Sequence, residues 1–458
     1  MRTRALLLAA AALGACATPP IPAPRPVPAG WDLAAPPLPA EEIEENWWRA
    51  FGDPLLDTFM QAAGTIDEVA IAQTRLDEAR AGLKSARSRL APELSGGANG
   101  SSRRNGDGGV FARARNANIA ASALWDPDFF GANRTRAKSA RASAEGAAFD
   151  LAQARLDARL TAALLYFSVR EAQMRQAAAE ETAQALQEER DLIGARTQAG
   201  LVSAFDLAQA QGALARAQAA LASARQAAAE ARLGLEALLG KPPGSLRADL
   251  DAQRLPPRAD LRASLLTPLE VIARRPDLRA AEQHMRAAGW DAQAARRDFF
   301  PKLTLSGIIG VQWNDPETPF TANGGLYNVA GSLAAPLLTF GRLEGARAGA
   351  DARLLRAALE YRNAAENAVS QVETELITGI ESNARADAQE AALAAATDQV
   401  GFARSRYESG LSPLQDVLEA QQAMFEARAA LASALAEAAG AYARLSTAMG
   451  IGAGASEG

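Results

Sequence analysis

The stretch RTQAGLVSAFDLAQAQ at residues 196–211 returns as RYESGLSPLQDVLEAQ at residues 406–421. A shift of 210 lays Arg196, Gly200, Leu201, Asp206, Ala210 and Gln211 on Arg406, Gly410, Leu411, Asp416, Ala420 and Gln421 without a gap. Alanine matches arise by chance in an alanine-rich chain; Arg, Gly and Asp in register do not. The same shift puts Phe130 and Gly131 on Phe340 and Gly341, and the run Leu221 to Ala224 on Leu431 to Ala434. A shift of 209 puts Ala86, Arg87 and Pro92 on Ala295, Arg296 and Pro301. The chain is a tandem duplication.

The quoted stretch is itself a helical turn. Gly200 and Gly410 suit left-handed C-caps, and Ser203 with Asp206 has capping-box spacing, as does Ser412 with Gln415. Pro413 suits a first helical position. Working outward, no proline occurs between Pro127 and Pro242, or between Pro336 and Pro413. A helix from about Arg134 to Arg196 is on the order of 95 Å long at 1.5 Å per residue, longer than a compact domain needs. After the turn, Leu207, Leu214, Leu221, Ala228 and Leu235 recur every seventh residue, with Ala210, Ala217, Ala224, Ala231 and Leu238 filling a second seam. Val417, Met424, Leu431, Ala438 and Leu445 repeat the pattern, with Ala420, Ala427, Ala434, Ala441 and Ala448. A sustained heptad predicts left-handed supercoiled packing, here through a thin seam of small residues.

Before each long helix the periodicity changes to two. Leu303, Leu305, Gly307, Ile309, Val311 and Trp313 alternate with polar Thr304, Ser306 and Gln312; Tyr327, Val329, Gly331, Leu333, Ala335 and Leu337 flank Asn328 and Ser332. These predict strands at about 302–313 and 327–338, each with one lipid-facing and one polar side. In the first copy Ala117, Ile119, Ala121, Ala123 and Trp125 alternate with Asn116, Asn118 and Ser122, a strand at about 114–125. The Gly- and Ser-rich segment at about 93–102 is assigned by the duplication alone. Trp125, Trp313 and Tyr327 fit an interfacial aromatic girdle, with ordinary sheet packing as the alternative.

The N-terminus reads as an export signal. A basic start (Arg2, Arg4) and an apolar run from Ala5 to Leu13 precede Leu13-Gly14-Ala15-Cys16. That run is too short to span a bilayer, and small residues before a cysteine mark a lipoprotein signal. Cys16 is therefore the expected mature N-terminus carrying covalent lipid such as palmitate, followed by Ala17 and by a Pro-rich tether that reads as extended. An ordinary signal with an incidental cysteine is the weaker reading, because no second Cys exists to pair with it. A net charge of −5 argues against nucleic acid, and one His with one Cys supplies poorly any catalytic metal. His284 lies in an Arg- and Ala-rich helical stretch and reads as a solvated or packed surface residue. No phosphate loop, nucleophile elbow or cofactor motif occurs, so an enzyme reading has no residues to stand on and energy must come from a partner.

Four amphipathic strands raise a physical problem. An open sheet in lipid leaves its edge N–H and C=O groups unpaired, at several kcal/mol each, so a membrane sheet must close. Four strands are too few to close alone. Dimers of about eight strands, trimers of twelve or tetramers of sixteen all satisfy the sequence.

The segments Arg275-Pro276-Asp277-Leu278-Arg279-Ala280-Ala281-Glu282 and Phe299-Phe300-Pro301-Lys302-Leu303 resemble the outer-membrane efflux factors, the TolC/OprM/NodT family. So do Asp126-Pro127-Asp128-Phe129-Phe130-Gly131, the run Pro336 to Arg342, and Leu418-Glu419-Ala420-Gln421. The resemblance runs from Trp47 to Met449. It implies a mainly α fold with membrane β: a homotrimer whose twelve-stranded outer-membrane barrel continues into a twelve-helix periplasmic tunnel. It further implies partners, namely a periplasmic adaptor (membrane fusion) protein and an inner-membrane pump of the RND type, with the outer-membrane lipid around the barrel. In the family the two hairpins form the periplasmic mouth. By motif position Arg196, Asp206, Arg406, Tyr407, Asp416 and Glu419 match its gate, although Glu419 replaces the usual Asp. The tips, Gly200, Leu201 and Ser203 with Gly410, Leu411 and Ser412, are expected to dock the adaptor. Helix capping alone is the competing account of the turns.

The expected layout is a signal at 1–15, a lipidated tether at 16–46, a first repeat at 47–240, an equatorial segment at 241–267, a second repeat at 268–450 and a tail at 451–458. The segment 241–267 and the tail are expected in a belt around the tunnel. The function so implied is an outer-membrane conduit exporting small molecules from the periplasm or pump. A type I secretion conduit for polypeptides is the first alternative, and a periplasmic coiled-coil scaffold without a channel the second.

Overall fold

The structure, a computed structural model, describes residues 30–31, 45–107, 110–250, 266–313 and 324–453. Cys16, the signal and most of the tether lie outside them. After a 3-10 turn at Trp47–Phe51 come α1 (Pro54–Ala63), α2 (Asp67–Ser88), β1 (Glu93–Asp107), β2 (Val110–Trp125), α3 (Ala132–Gln198) and α4 (Ala204–Leu238). The single turn α5 (Arg247–Leu250) and α6 (Pro268–Arg274) lead to α7 (Pro276–Arg297), β3 (Lys302–Trp313), β4 (Gly325–Ala334), α8 (Arg342–Glu408) and α9 (Leu414–Ala448). The duplication is metric: α2 and α7 have 22 residues each, α3 and α8 have 67, α4 and α9 have 35.

The strand boundaries differ from those expected. β1 runs on to Asp107 and β2 starts at Val110, because backbone pairing between them persists where side-chain alternation gives no signal. β4 ends at Ala334, four residues short of 338. Pro336 lies just beyond, and proline cannot donate to a ladder.

The chain forms two compact units. The first contains Thr74–Ala148 and Arg279–Ala364. Its centre is an antiparallel sheet in the order β1-β2-β3-β4. The register decides what each face is. Ile119 stands opposite Ala98 and Val311, Ala121 opposite Ile309, Ile309 opposite Tyr327, and Leu303 opposite Leu333. The apolar positions of all four strands therefore share one face. Ser95, Ser122 and Ser306 share the other with Asn118 and Asn328, and the hydroxyls of Ser95 and Ser122 lie 2.7 Å apart. The apolar face is bare: Val329 is 86% exposed, Tyr327 84% and Ile309 69%. Trp125 and Trp313 lie at opposite ends of the β2–β3 ladder, as a girdle requires. Tyr327, opposite Ile309, stands midway between those levels and so belongs to the apolar band rather than a rim. The Trp125 indole donates to the Leu90 carbonyl, 3.1 Å away.

Within the same unit α3 lies beside α7. Ser139 Oγ donates to Ala287 O at 3.1 Å, and Arg136 pairs with Asp298 at 2.5 Å. His284 packs over Gly146, where a Cβ would meet the imidazole at 2.9 Å, yet it remains exposed, a packed surface residue.

The second unit contains Pro26–Gln73, Phe149–Leu278 and Ala365–Gly458. Its core joins the segment at Trp31 and Trp47–Phe51, the helices α1, α5 and α6 and the residues after α9 to the long helices. Trp47, Phe51, Phe167 and Tyr442 pack together, Phe51 edge-on to both Trp47 and Tyr442, with Phe51 and Tyr442 centroids 5.3 Å apart. Asp53 caps α1 through Leu55 N and also accepts the Tyr166 hydroxyl, whose pKa burial and that carboxylate push up. Arg170, 1% exposed, donates to that same hydroxyl at 3.0 Å and to Leu250 O. Arg275 explains the Arg-Pro-Asp-Leu motif. Its guanidinium grips Asp277 at 2.7 Å and donates to Ala448 O at 2.7 Å, satisfying a terminal carbonyl of α9.

Candidate functional site: the twin helical turns

Both turns close by the same backbone device. Leu201 N donates to Arg196 O and Gly200 N to Thr197 O; Leu411 N donates to Arg406 O and Gly410 N to Tyr407 O. Gly200 and Gly410 both have φ of 71°. This double bond is the Schellman closure, which glycine enters without a Cβ penalty. It fixes Arg196 and Arg406 by their carbonyls, and among the described residues neither side chain has a polar partner. It also turns Leu201 and Leu411 outward, 74% and 72% exposed.

The two returns into helix differ. Ser203 and Asp206 form the expected capping box: Asp206 N donates to Ser203 Oγ, and Asp206 Oδ2 accepts from Ser203 N at 3.1 Å. In the second copy the expected box of Ser412 and Gln415 is absent. The N-cap is Pro413, which has no hydroxyl, and α9 begins at Leu414 rather than at the proline. Ser412 falls one residue too early, and its buried Oγ has no partner. Gln415 donates instead to Glu419 at 2.7 Å. Asp416 is exposed, and among the described residues neither it nor Arg406 has a side-chain partner. Tyr407 is half-buried against Ile193, Ala210, Leu414 and Val417.

Arg404 belongs to no motif in the sequence, yet it is the arginine that ties these helices. It, and not Arg406, reaches Glu189, 3.6 Å away and 5% exposed, joining α8 to α3. Two further cross-helix pairs, Arg225 with Glu180 at 3.1 Å and Arg428 with Glu181, link α4 and α9 to α3. No local spacing announces such pairs, since each joins residues distant in the chain.

Behind the turns, α4 and α9 flank a groove of about 750 Å³ backed by α3. Arg216 projects into it from one wall, and Gln415, Glu419, Gln422 and Glu426 from the other. Such a lining offers hydrogen bonds and charge and no nucleophile with a paired base. It suits polar contact with solute or protein rather than covalent chemistry.

The sequence pattern of the family described as outer membrane efflux protein matches residues 61–241 and 267–451. The pyoverdine export outer membrane protein OpmQ of Pseudomonas aeruginosa is 30% identical, the match covering 98% of this chain and 96% of that protein. Nodulation protein T of Rhizobium leguminosarum bv. trifolii is 27% identical over 89% of this chain and 87% of its own length. Among solved structures, the outer-membrane channel OprN superposes with a TM-score of 0.85 at 24% identity, covering 95% of this chain and 99% of that one. A duplicated strand-strand-helix-helix chain, with a bare apolar sheet face and paired helical turns, is thus matched along nearly its whole length, and the chain belongs to the outer membrane efflux protein family.

Proposed function

We propose that this chain is the outer-membrane channel subunit of a tripartite efflux pump, a passive conduit for small molecules. One observation carries the reading. The four-stranded sheet presents one continuous apolar face, and β1 and β4 have no further strand neighbour among the described residues. In a bilayer those edges must be paired, and three copies close a barrel of about twelve strands, within the range of outer-membrane barrels. The long helices then continue the barrel as a periplasmic tunnel. Cys16 carries the lipid anchor. The tips at Leu201 and Leu411 meet a periplasmic adaptor, and an inner-membrane transporter of the RND type supplies energy. Arg406, Asp416 and Glu419, with Arg196 and Tyr407, close the mouth between protomers.

The purified protein should run as a heat-modifiable trimer and conduct ions when reconstituted in planar bilayers. A stable monomer without conductance overturns the proposal. Photocrosslinkers at Leu201 and Leu411 should capture an adaptor, and Cys16→Ser should abolish palmitate labelling. Export of pyoverdine by a 30% identical relative favours small cargo over polypeptides. Loss of the chain should therefore sensitise cells to small toxic compounds. Normal sensitivity with loss of a secreted polypeptide selects the type I conduit.

A further inference from the structure

Away from the turns, α3, α7 and the side chain of Leu354 enclose a second groove of about 1010 Å³ in the first unit. Its walls are cationic and aromatic together. Three of its arginines are answered by carboxylates: Arg141 by Glu145 at 2.8 Å, Arg286 by Glu282 at 2.6 Å and Arg296 by Asp351 at 2.7 Å. Two cations have no carboxylate partner among the described residues. Lys138 Nζ sits 4.7 Å above the Trp290 ring, and Arg297 donates only to neutral acceptors, Gly131 O at 2.7 Å and Thr135 Oγ1 at 2.6 Å. The groove therefore holds surplus positive charge.

The groove also reaches the sheet. Phe300 lines it and stacks on Phe130, centroids 5.0 Å apart, with each ring nearly half exposed. β3 starts two residues later at Lys302, and its apolar face begins at Leu303. A basic cleft beside the foot of an apolar face matches an amphiphile with an anionic head. Basic pockets between helices at a membrane border hold lipid headgroups in this way.

We propose that this groove seats the phosphate headgroup of an anionic phospholipid from the leaflet bordering the sheet. Lys138, held over Trp290, and Arg297 meet the charge, and the acyl chains follow Phe300 and Phe130 onto the apolar face. The inference rests on the membrane reading of the sheet and adds a site on helices that the channel itself does not need.

The test is native mass spectrometry of the detergent-solubilised full chain with phosphatidylglycerol, phosphatidylcholine of the same acyl chains, or glycerophosphoglycerol. Phosphatidylglycerol should be retained selectively. Lys138→Gln should weaken retention roughly fivefold, and Lys138→Gln with Arg297→Gln roughly thirtyfold, at about 1 kcal/mol per cation near a lipid surface. Arg353→Gln, the same charge change at an exposed α8 site outside the groove, should leave retention unchanged. Arg297 also holds Gly131, so if the double variant fails to assemble, the single Lys138 variant decides between the outcomes. Equal retention of both lipids, an unaltered Lys138→Gln protein, or binding of glycerophosphoglycerol as tight as that of the lipid overturns the site. Conductance of the same preparation separates the two failures: a pore without lipid preference sinks only this inference, whereas absence of a pore sinks the channel reading and the site with it.

Discussion

Asp206 and Asp416 are equivalent residues of the two copies, yet only Asp206 is held by its own turn. Its carboxylate accepts from Ser203 N at 3.1 Å and Ser203 Oγ at 2.8 Å, whereas the residue three before Asp416 is a proline. The duplication thus produced one turn that is internally satisfied and one whose acidic group has no side-chain partner among the described residues. The gate should therefore be asymmetric. Arg406→Ala with Asp416→Asn should raise leak conductance in planar bilayers and leave the melting temperature within a few degrees of the parent. Asp206→Asn should do the reverse, costing about 1 kcal/mol of helix stability, the usual value of a lost cap interaction, without added leak. Equal leak from both changes would mean that the mouth is held by capping alone.

A single substitution can make the second turn resemble the first. Pro413 has φ −72° and ψ 160°, close to the −79° and 154° of Ser203, so serine fits that backbone without strain. Pro413→Ser should engage Asp416 in a capping box. The new cap contributes about 1 kcal/mol, while loss of the proline's restriction on the unfolded chain removes about 0.4–1 kcal/mol. These nearly cancel. The melting temperature should barely move while leak rises, because the carboxylate is drawn into its own helix. A leak equal to that of the parent protein would show that Asp416 is not part of the closure.

The sheet makes an equally sharp prediction. Ile309 and Ser306 lie on one strand three residues apart, and so on opposite faces. Ile309→Arg places a guanidinium on the bare apolar face, at about 2–4 kcal/mol near a bilayer midplane. It should lower the yield of heat-modifiable trimer several-fold. Ser306→Arg faces the polar side and should assemble normally, altering only conductance and ion preference. Equal loss from the two variants would mean that neither face meets lipid.

How much of this is readable in the residues depends on whether the signal is local. The alternation from Leu303 to Trp313 and the heptads after each turn are local, and both elements are where the sequence puts them. The segment Glu93–Ser102, rich in Gly and Ser, has almost no pattern of its own; only its likeness to the second copy identifies it, and nothing in its side chains announces the continuation to Asp107. The capping box expected at Ser412 fails for a related reason. Spacing alone does not reveal that Pro413 takes the N-cap position, one residue past the hydroxyl. Arg275 stands in the sequence as a family mark, but its reach to Ala448 joins residues 173 apart. The pairing of Arg404 with Glu189 and the basic groove at Lys138 and Arg297 are likewise products of helix packing, which no window of sequence contains.

Glu236 offers a prediction in which acid is the variable. It is 1% exposed at the end of α4, and burial by itself would raise its pKa. The N–H groups of Gly244 at 2.8 Å and Leu246 at 3.0 Å, with Arg232 at 3.7 Å, outweigh that effect and hold the carboxyl below its ordinary value. A depressed folded pKa means that the unfolded chain binds the proton more readily. The stabilisation is therefore complete above the ordinary carboxylate range and is lost as pH falls through the lower folded value. At neutral pH Glu236→Gln should cost about 1.5–3 kcal/mol, the usual worth of hydrogen bonds to a charged group. Below the ordinary carboxylate range the parent protein should approach the variant, because protonation removes the same charge. Melting curves of the detergent-solubilised pair from neutral to acid pH should show that gap closing. A gap that stays constant would assign Glu236 to packing of the Gly244–Leu246 loop, with no part played by its charge.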